Sequence, residues 1–303
     1  MPVLEFLLSS SYDLAAVVTT PDRPRGRGLL LQSNPVKQRC EARGTRVFAP
    51  ESLRGPEASQ EIRALKPNAF VVASYGKMIP SSWLEIPSQA SFNVHPSLLP
   101  KHRGAAPIPW QIVNGDKEIG VSIAEVTKEL DAGDIFGQIR IPAEETDTTE
   151  SLTRKLAELG CRVLEEVLGK LELGKLERTP QDSSQSSYAR KLTKEDSHLN
   201  LNEWAELSVR KIRAFQPWPG TFLDYQSKPL RILEAHLGSN SDEKATPGVL
   251  LDISPRGDLR IQTEKDILEI SKVQLPGKRV ISAKEFVNGE RLKPGFIFKS
   301  LSS

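Results

Sequence analysis

Apolar positions in the first half of the chain alternate between two spacings. Continuous apolar runs that are rich in β-branched residues lie at residues 14–19, 69–73 and 91–95, and such runs are typical of buried strands. Between them, residues 35–43 and 57–65 carry apolar side chains at helical spacing. Short strands that are separated by helices predict a mostly parallel sheet with helices on both faces.

Two more strands and one long helix complete this half of the chain. Residues 120–126 and 135–141 have the pattern of strands. Asp147, with Glu150 three residues later, predicts an N-cap with a capping box. Leucines and valines at spacings of three and four then carry an amphipathic helix to about residue 173.

The pattern changes after residues 179–187, where a polar stretch rich in Ser and Gln predicts a flexible linker. Five short strands joined by turns follow, which predicts a small antiparallel β-barrel. These strands are expected at residues 221–225, 230–235, 249–253, 259–263 and 267–273. We therefore expect a first domain over residues 1–178, a linker over 179–200 and a second domain over 201–303.

Composition and charge place the chain among globular proteins. With 303 residues it exceeds the roughly 250 residues at which single cores stop growing, so two domains are expected. No stretch approaches the roughly 18 apolar residues of a membrane span, and the start lacks a signal-peptide pattern. Two isolated cysteines, Cys40 and Cys161, indicate a reducing compartment, so we expect a cytoplasmic protein. Residues 188–303 carry 19 basic and 15 acidic side chains, which permits a nucleic-acid partner without demanding one, and charge alone favours an ordinary solvated surface.

The exit of one predicted strand carries the most informative polar side chains. Asn93 and His95 are two residues apart, so the amide and the imidazole project from the same face of a strand. Pro96 has no N–H and favours an extended residue before it, so the strand ends at His95. Ligands of open α/β sheets bind at the carboxyl ends of strands, which makes this pair a candidate for catalysis. A structurally satisfied histidine and a turn-forming asparagine are the alternative.

Two loops add further candidates. Asp131 begins an Asp-Ala-Gly-Asp sequence between two predicted strands, although this sequence is also a common turn. Small residues at 104–106 allow the backbone to approach a ligand closely before a helix predicted near Pro107. His95, His102 and Asp131 match no known metal-ligand spacing, so we expect no metal.

Together these segments resemble the 10-formyltetrahydrofolate-dependent formyltransferases. The resemblance rests on Asn-Val-His-Pro-Ser-Leu-Leu-Pro-Lys-His-Arg-Gly-Ala-Ala-Pro at residues 93–107, Gly-Val-Ser-Ile at 120–123 and Leu-Asp-Ala-Gly-Asp-Ile at 130–135. It covers nearly the whole chain. It implies a Rossmann-like formyltransferase domain followed by a small, OB-like β-barrel domain.

Three features resemble the family members that formylate initiator methionyl-tRNA for translation initiation. The first is Pro-Asp-Arg-Pro-Arg-Gly-Arg-Gly at residues 21–28, with Asn-Pro-Val-Lys at 34–37. The second is Ile-Arg-Ala-Phe-Gln-Pro-Trp-Pro-Gly-Thr at residues 212–221, and the third is the β-rich C-terminal region. The resemblance thus implies that 10-formyltetrahydrofolate is the formyl donor and that initiator methionyl-tRNA is the acceptor.

By this resemblance, Asn93, His95 and Asp131 form a catalytic trio. The methionyl α-amino group would attack the formyl carbon, and Asn93 and a protonated His95 would donate hydrogen bonds to the developing oxyanion. Asp131 would handle the proton of the amine and tune His95 electrostatically. An α-amino group has a pKa near 7.7–8.0 in model peptides, so no strong base is required.

The resemblance also implies binding residues for both substrates. Those for the folate are Ser74, Tyr75, Gly76, Met78, Ile79, Ser97, Leu98, Leu99 and Pro100. Those for the tRNA are Arg23, Arg25, Arg27, Lys37 and Arg213. Gly and Pro around the first three arginines predict an irregular loop that meets phosphates, with Arg27 at the position that reads the top of the acceptor stem. The alternative for the predicted folate loop is a strand end with a turn at Gly76. The alternative for the arginine loop is an ordinary solvated basic loop.

The chain departs from the family pattern at two places. Leucines at residues 29–31 stand where lysines usually continue the basic loop. Family members also begin with a central strand and a Gly-Thr-Pro-x-Phe-like turn before the helix that starts here near Pro2. Its absence would leave neighbouring strands unpaired at a cost of several kcal/mol. We therefore expect either a truncated start, which we favour, or another segment in the gap.

Two alternative functions stay open at this point. A formyltransferase for an amino-sugar nucleotide or a purine precursor would share the catalytic trio but would not need Arg25 or Arg27. A pure RNA-binding module would use the β-barrel and leave the trio idle. We expect a monomer from a bacterial cytoplasm, with an organellar origin as the alternative.

Overall fold

The computed structural model describes residues 1–25, 30–238 and 245–301. The helices are α1 (Pro2–Ser9), α2 (Pro35–Glu41), α3 (Pro56–Ala64), α4 (Ser81–Leu84), α5 (Pro107–Asn114), α6 (Thr149–Glu172), α7 (Ala205–Ala214) and α8 (Ala283–Glu290). The strands are β1 (Val17–Val18), β2 (Arg23–Arg25), β3 (Leu30–Gln32), β4 (Val47–Phe48), β5 (Ala69–Val72), β6 (Ala90–His95), β7 (Glu118–Glu125), β8 (Ile135–Pro142), β9 (Phe222–Tyr225), β10 (Lys228–Gly238), β11 (Leu250–Ile253), β12 (Leu259–Gln262), β13 (Ile267–Gln274) and β14 (Ile281–Ser282). Among the described residues, no helix is long and apolar enough to span a membrane.

The backbone contacts divide the chain into two compact units. The first comprises Met1–Ala105, Glu118–Ile141 and Arg154–Ala189. The second comprises Ala106–Lys117, Pro142–Thr153 and Arg190–Ser303.

Parallel and antiparallel strand pairs build the first unit. β5, β6, β7 and β8 lie side by side in that order, with β5 parallel to β6 and β6 antiparallel to β7. β1 pairs with β4 in parallel, and among the described residues no strand joins this pair to the four-stranded sheet. The α/β class predicted from the alternation of apolar patterns is confirmed.

The long helix α6 holds the central strand β6 in place. Phe92 of β6 is fully buried and meets the ring of Phe136 edge-on, with 5.0 Å between centroids. Val163 and Leu164 of α6 belong to the same buried cluster. A Cβ at Gly160 would lie 2.9 Å from a methyl carbon of Val94, so the glycine allows the helix to approach the sheet closely. This packing fixes the strand whose end carries Asn93 and His95.

The predicted cap of α6 is wrong. The helix begins at Thr149, and the Thr148 hydroxyl accepts a hydrogen bond from the backbone N–H of Ser151 at 3.1 Å. The Ser151 hydroxyl accepts from the backbone N–H of Thr148 at 3.0 Å, so these two residues form the reciprocal cap. Asp147 instead accepts a hydrogen bond from the backbone N–H of Glu144, because it closes the preceding turn.

A curled antiparallel sheet forms the second unit. Its strands lie in the order β11, β12, β13, β10 and β9, and β14 pairs with β13. The register between β10 and β13 shifts on both sides of Glu234, and such bulges increase the local bend and twist of a strand. Alternate side chains such as Leu223, Leu230 and Ile270 are fully buried and form one apolar core.

The segment 295–299 joins the two edges of this sheet. Its Lys299 exchanges backbone hydrogen bonds with Asp224 of the edge strand β9. On the other side, the backbone N–H of Leu250 in β11 donates to the carbonyl of Phe296 at 2.7 Å. The small antiparallel barrel predicted for this region is therefore confirmed, and this segment closes it.

Phe298 anchors the closing segment in the core, which generates a stability prediction. Its side chain is 1% exposed and lies edge-on to Phe296 at 4.9 Å. Phe298→Ala removes this buried ring, so we expect the free energy of unfolding to fall by about 3–5 kcal/mol in urea denaturation followed by circular dichroism. Ile297→Ala, at a side chain that is 53% exposed, is the control, with an expected loss below about 1 kcal/mol. Equal losses in the two variants would contradict the anchoring role of Phe298.

Candidate active site

Strand β6 presents Asn93 and His95 at the centre of the four-stranded sheet. Asn93 pairs in register with Val72 of β5 on one side and with Ala124 of β7 on the other. The strand ends at His95, as Pro96 predicts, and the chain turns away at once with a hydrogen bond from the N–H of Ser97 to the carbonyl of His95. Both polar side chains therefore stand near the carboxyl end of a strand with neighbours on both sides.

Asp131 reaches this position from the loop between β7 and β8. The loop is closed at its base by a 2.8 Å hydrogen bond from the N–H of Glu125 to the carbonyl of Asp134. A Cβ at Gly133 would lie 2.2 Å from the carbonyl oxygen of Glu125, so only glycine fits this close approach. Asp131 itself adopts a φ of 53°, a left-handed conformation that Asp tolerates better than most residues.

The structure brings the three predicted catalytic side chains together. The amide nitrogen of Asn93 donates to Oδ1 of Asp131 at 2.9 Å. The backbone N–H of Gly104 donates to Oδ2 of the same carboxylate at 2.8 Å. Nδ1 of His95 lies 3.6 Å from Oδ1 of Asp131. The carboxylate, which is 7% exposed, thus joins the strand β6 to two loops.

Burial determines the protonation state of His95. Its side chain is 5% exposed, and removal from water disfavours the charged imidazolium, which lowers the pKa of His95 below the usual 6.5. The charge of Asp131 and the carbonyl of His102 act in the opposite direction without outweighing burial. Burial therefore favours a neutral imidazole at neutral pH in this arrangement, which differs from the protonated His95 that the family resemblance implies.

The two ring nitrogens of His95 face different partners. Nε2 lies 2.9 Å from the backbone carbonyl oxygen of His102. Because a carbonyl oxygen only accepts hydrogen bonds, the neutral ring carries its proton on Nε2 and donates it there. Nδ1 then holds a lone pair, and its distance of 3.6 Å from Oδ1 of Asp131 is too long for a hydrogen bond. The site therefore offers a basic nitrogen beside the carboxylate.

The composition predicts residues 179–189 to be a flexible linker, and we call this segment the strap. It is hydrogen-bonded to the Asp131 loop and to the loop after β6. Thr179 exchanges backbone hydrogen bonds of 2.8 and 2.9 Å with Ile135, at the end of the Asp131 loop. The hydroxyl of Ser187 accepts from the backbone N–H of His102 at 2.9 Å. The strap is therefore anchored to the first unit by hydrogen bonds at both of its ends.

The nine residues predicted to bind folate lie in two loops, at the carboxyl ends of the neighbouring strands β5 and β6. The loop after β5 holds Ser74, Tyr75, Gly76, Met78 and Ile79, and the loop after β6 holds Ser97, Leu98, Leu99 and Pro100.

These two loops differ in what they expose. Ser74 is exposed, and the Met78 side chain is 72% exposed. Ser97 is fully buried, and its hydroxyl donates to the carbonyl of Lys101 at 2.7 Å. Leu99 is buried as well. The loop after β5 therefore offers accessible side chains, whereas Ser97 and Leu99 shape the turn that follows His95.

The predicted arginine loop begins as a regular hairpin. Arg23–Arg25 pairs antiparallel with Leu30–Gln32, so the expectation of an irregular loop is wrong for these residues. Pro24 fits because a two-stranded antiparallel ribbon bonds only alternate residues on each strand. Arg23 is exposed, whereas Arg27 and the side chain of Arg25 lie outside what the structure describes.

The other two predicted tRNA residues have protein partners. Nζ of Lys37 lies 2.8 Å from Asp22, which raises the pKa of Lys37 and pairs its charge. The guanidinium of Arg213 donates to the backbone carbonyl of Asp147 at 2.7 Å and is half-buried. Among the predicted tRNA-binding residues whose side chains the structure describes, Arg23 is thus the most exposed.

Sequence reasoning missed two groups at the site. The backbone N–H of Gly104 and the side chain of Gln181 both bond to the Asp131 loop. The small residues at 104–106 predicted a close backbone approach, whereas nothing in the local sequence distinguishes Gln181 from other polar linker residues. Within the described ranges, no three His, Cys, Asp or Glu side chains cluster as a metal site requires.

Comparison with known proteins identifies similar sequences over nearly the whole chain. The formyl transferase family model matches residues 5–168, and the model for the formyl transferase C-terminal domain matches residues 191–291. The methionyl-tRNA formyltransferase of Hydrogenovibrio crunogenus is 38% identical over 292 residues, which cover 96% of this chain and 93% of that protein. The methionyl-tRNA formyltransferase of Dictyoglomus thermophilum is 40% identical over 298 residues, 97% of this chain and 96% of that protein.

A solved structure shows the same fold. HypX from Aquifex aeolicus in complex with tetrahydrofolic acid superposes with a TM-score of 0.61 at 20% identity. The match covers 96% of this chain and 51% of that protein. At this identity the likeness concerns the fold alone.

The burial of His95 predicts its titration. We expect the ring to titrate with a midpoint below pH 6.5 and to show the Nε2–H tautomer in long-range ¹H–¹⁵N correlation spectra. Because the folded-state pKa lies below the unfolded one, the stability that the neutral ring provides is complete above pH 6.5 and is lost as the pH falls through the folded-state pKa.

The sequence has four histidines, so His95→Gln assigns the resonance by its disappearance. The same variant should flatten the dependence of unfolding free energy on pH below pH 6.5. A midpoint at or above pH 6.5 for His95 would contradict the neutral ring.

Proposed function

The chain belongs to the methionyl-tRNA formyltransferase family, and we infer that it transfers the formyl group of 10-formyltetrahydrofolate to the α-amino group of initiator methionyl-tRNA. The product is the formylated initiator tRNA of translation initiation. Similarity over both matched regions carries this assignment. For the residues that perform the transfer, we propose the trio of Asn93, His95 and Asp131. The position of Asn93 and His95 against the carboxylate of Asp131 supports this role.

The loop after β5 fits a folate. The hydroxyl of Tyr75 is buried and has no hydrogen-bond partner among the described residues, so it can bond a polar atom of a ligand. The rings and aliphatic chains of Tyr75 and Ile79 pack on an apolar cluster around Trp83. Met78 presents an exposed apolar side chain beside them. We propose that this combination of apolar surface and an unpaired hydroxyl binds the ring system of the folate.

Asn93 is placed to stabilise negative charge. The folate supplies an activated formyl group, and negative charge develops on the formyl oxygen as the amine attacks. The amide nitrogen of Asn93 has two hydrogens, and Asp131 accepts one of them at 2.9 Å. The second hydrogen is available for the oxyanion. Because Asp131 already fixes the amide, this donor needs no reorganisation during the reaction.

His95 and Asp131 are placed to receive the proton of the amine. A neutral amine attacks, and its nitrogen becomes strongly acidic as the new bond forms. The lone pair on Nδ1 of His95 can accept that proton, while Nε2 stays bonded to the carbonyl of His102. The resulting imidazolium lies 3.6 Å from the carboxylate of Asp131, which stabilises its charge. We therefore propose that His95 acts as the base and Asp131 as its electrostatic partner. As the tetrahedral carbon collapses, its bond to N10 of the folate breaks, and the imidazolium returns the proton to that nitrogen, so that tetrahydrofolate leaves.

We further propose that the chain acts as a monomer in a bacterial cytoplasm. All three members of the trio come from one chain, so the site needs no second copy. Its two cysteines are free thiols, which is typical of proteins in a reducing compartment.

The role of Asn93 leads to a kinetic prediction. The assay mixes the protein with 10-formyltetrahydrofolate and methionyl-initiator tRNA and follows formyl-methionine after deacylation. Asn93→Ala removes an oxyanion donor, so we expect kcat to fall on the order of 10²-fold. The KM values for both substrates should change little, because the bond forms only as charge develops.

Asn68→Ala is the matched control, since Asn68 is exposed and its side chain bonds only weakly to Ser88 at 3.4 Å. We expect it to retain the wild-type kcat. Formylation of free methionine as efficient as that of the charged tRNA would contradict the proposed acceptor, and tRNA binding without turnover would support a binding module instead.

The exposed Arg23 leads to a prediction on tRNA binding. If its guanidinium contacts a phosphate, Arg23→Ala should raise the KM for methionyl-tRNA and leave the KM for the folate unchanged. The slope of log binding constant against log salt should also become shallower by about 0.7–0.9, as expected for one lost phosphate contact. Arg54→Ala, at another exposed arginine of the first unit, should change neither quantity. An unchanged salt slope for Arg23→Ala would remove this residue from the interface.

A further inference from the structure

The side chain of Gln181 connects two loops of the active site through its two ends. Its amide nitrogen donates to the backbone carbonyl of Asp131 at 2.9 Å and to that of Gly133 at 2.6 Å. Its amide oxygen accepts from Nε of Arg103 at 3.1 Å and from a terminal nitrogen of the same guanidinium at 2.9 Å. One side chain of the strap therefore uses all of its polar hydrogens and its oxygen in bonds within the first unit.

The Asp131 loop needs such an external partner. Asp131 has a φ of 53°, a conformation that costs an L-residue free energy unless its surroundings hold it. The two carbonyls that Gln181 binds flank Ala132, so they fix the peptide planes on both sides of the turn. The first of these planes adjoins the Cα of Asp131, from which the side chain projects. Gln181 thus holds the backbone that carries the carboxylate.

The same side chain fixes the opposite loop. Arg103 is 8% exposed, and the Glu129 carboxylate, 3.8 Å from its guanidinium, belongs to a side chain that is 79% exposed. The next residue, Gly104, donates its N–H to Oδ2 of Asp131. Because Gln181 holds the Arg103 guanidinium, it also holds the donor that binds the carboxylate from the other side.

The chemistry explains why an amide suits this position. A carboxylate could accept from Arg103, but it would face the carbonyl oxygens of Asp131 and Gly133 without a hydrogen to donate. It would also place a second negative charge close to Asp131. An amide alone satisfies a guanidinium at one end and two carbonyls at the other.

We propose that Gln181 is a positioning residue for the formyl transfer, which acts by holding Asp131 in line with Asn93 and His95. The proposal rests on the role assigned to Asp131 above. It predicts that loss of the amide slows the chemical step without changing the affinity for either substrate, because both ends of the Gln181 amide are bonded to the protein.

The first experiment replaces Gln181 by methionine, which has a similar length and makes no strong hydrogen bonds. We expect Gln181→Met to lower kcat by roughly 10- to 100-fold, as a misplaced catalytic group does. The KM values for both substrates should stay within about twofold of those of the wild type. Gln185→Met is the matched control, because Gln185 lies in the same strap, is exposed and donates only to Asp182. It should retain the wild-type kcat.

The second experiment asks whether Gln181 acts through Asp131. Asp131→Asn alone should reduce kcat, and adding Gln181→Met to it should cause less than about a twofold further loss, because residues that act as a unit are not additive. Single-turnover assays at high enzyme concentration keep the residual rate measurable. Independent, multiplying losses would overturn the proposal. A fully active Asp131→Asn variant would instead overturn the proposed role of Asp131 itself.

A third variant separates positioning from folding. Gln181→Glu keeps the acceptor for Arg103 but loses both bonds to the Asp131 loop, so we expect a kcat at least as low as that of Gln181→Met. Its melting temperature should stay close to the wild-type value, since the strap keeps its backbone bonds to Ile135. A wild-type kcat in Gln181→Glu would overturn the proposal, as would a loss of kcat that tracks the melting temperature across the three variants.

Discussion

The buried carboxylate of Asp131 is the interaction on which the active site depends. A charge removed from water is costly unless hydrogen-bond donors surround it, so the fold must supply donors from several directions. Strand β6 supplies the amide of Asn93, and the loop after it supplies the N–H of Gly104. The need to satisfy one carboxylate therefore draws a strand and two loops together, and the same arrangement places His95 beside it.

Several of the regular elements were predictable from the sequence because their causes are local. The apolar run at residues 69–73 predicted β5. Pro96 predicted that β6 ends at His95, the residue before it. The N-cap of α6 was not predictable, because Asp147 and Thr148 are both good N-cap residues. Only the surrounding turn decides between them. The hairpin at Arg23 was missed for a similar reason, because its partner strand decides whether Arg-Pro-Arg is regular.

The composition of the active site was predictable only in part. Alternation along β6 predicted that Asn93 and His95 share a face, and resemblance to a family supplied Asp131. The neutral state of His95 depends on burial by distant segments, which no spacing in the sequence reveals. Gln181 lies 50 residues from Asp131 in the chain, and its polar neighbours have the composition of a linker. Local composition describes how a segment would behave alone and not what it touches.

The closing segment of the β-barrel has a consequence for biosynthesis. Residues 295–299 supply hydrogen bonds to both edge strands, so β9 and β11 keep exposed edges until these residues have left the ribosome. The second unit also contains Ala106–Lys117 and Pro142–Thr153, which are synthesised long before the barrel. These early segments must wait for their packing partners, so the second unit completes its folding only once residues 295–299 have emerged, whereas most of the first unit has emerged much earlier.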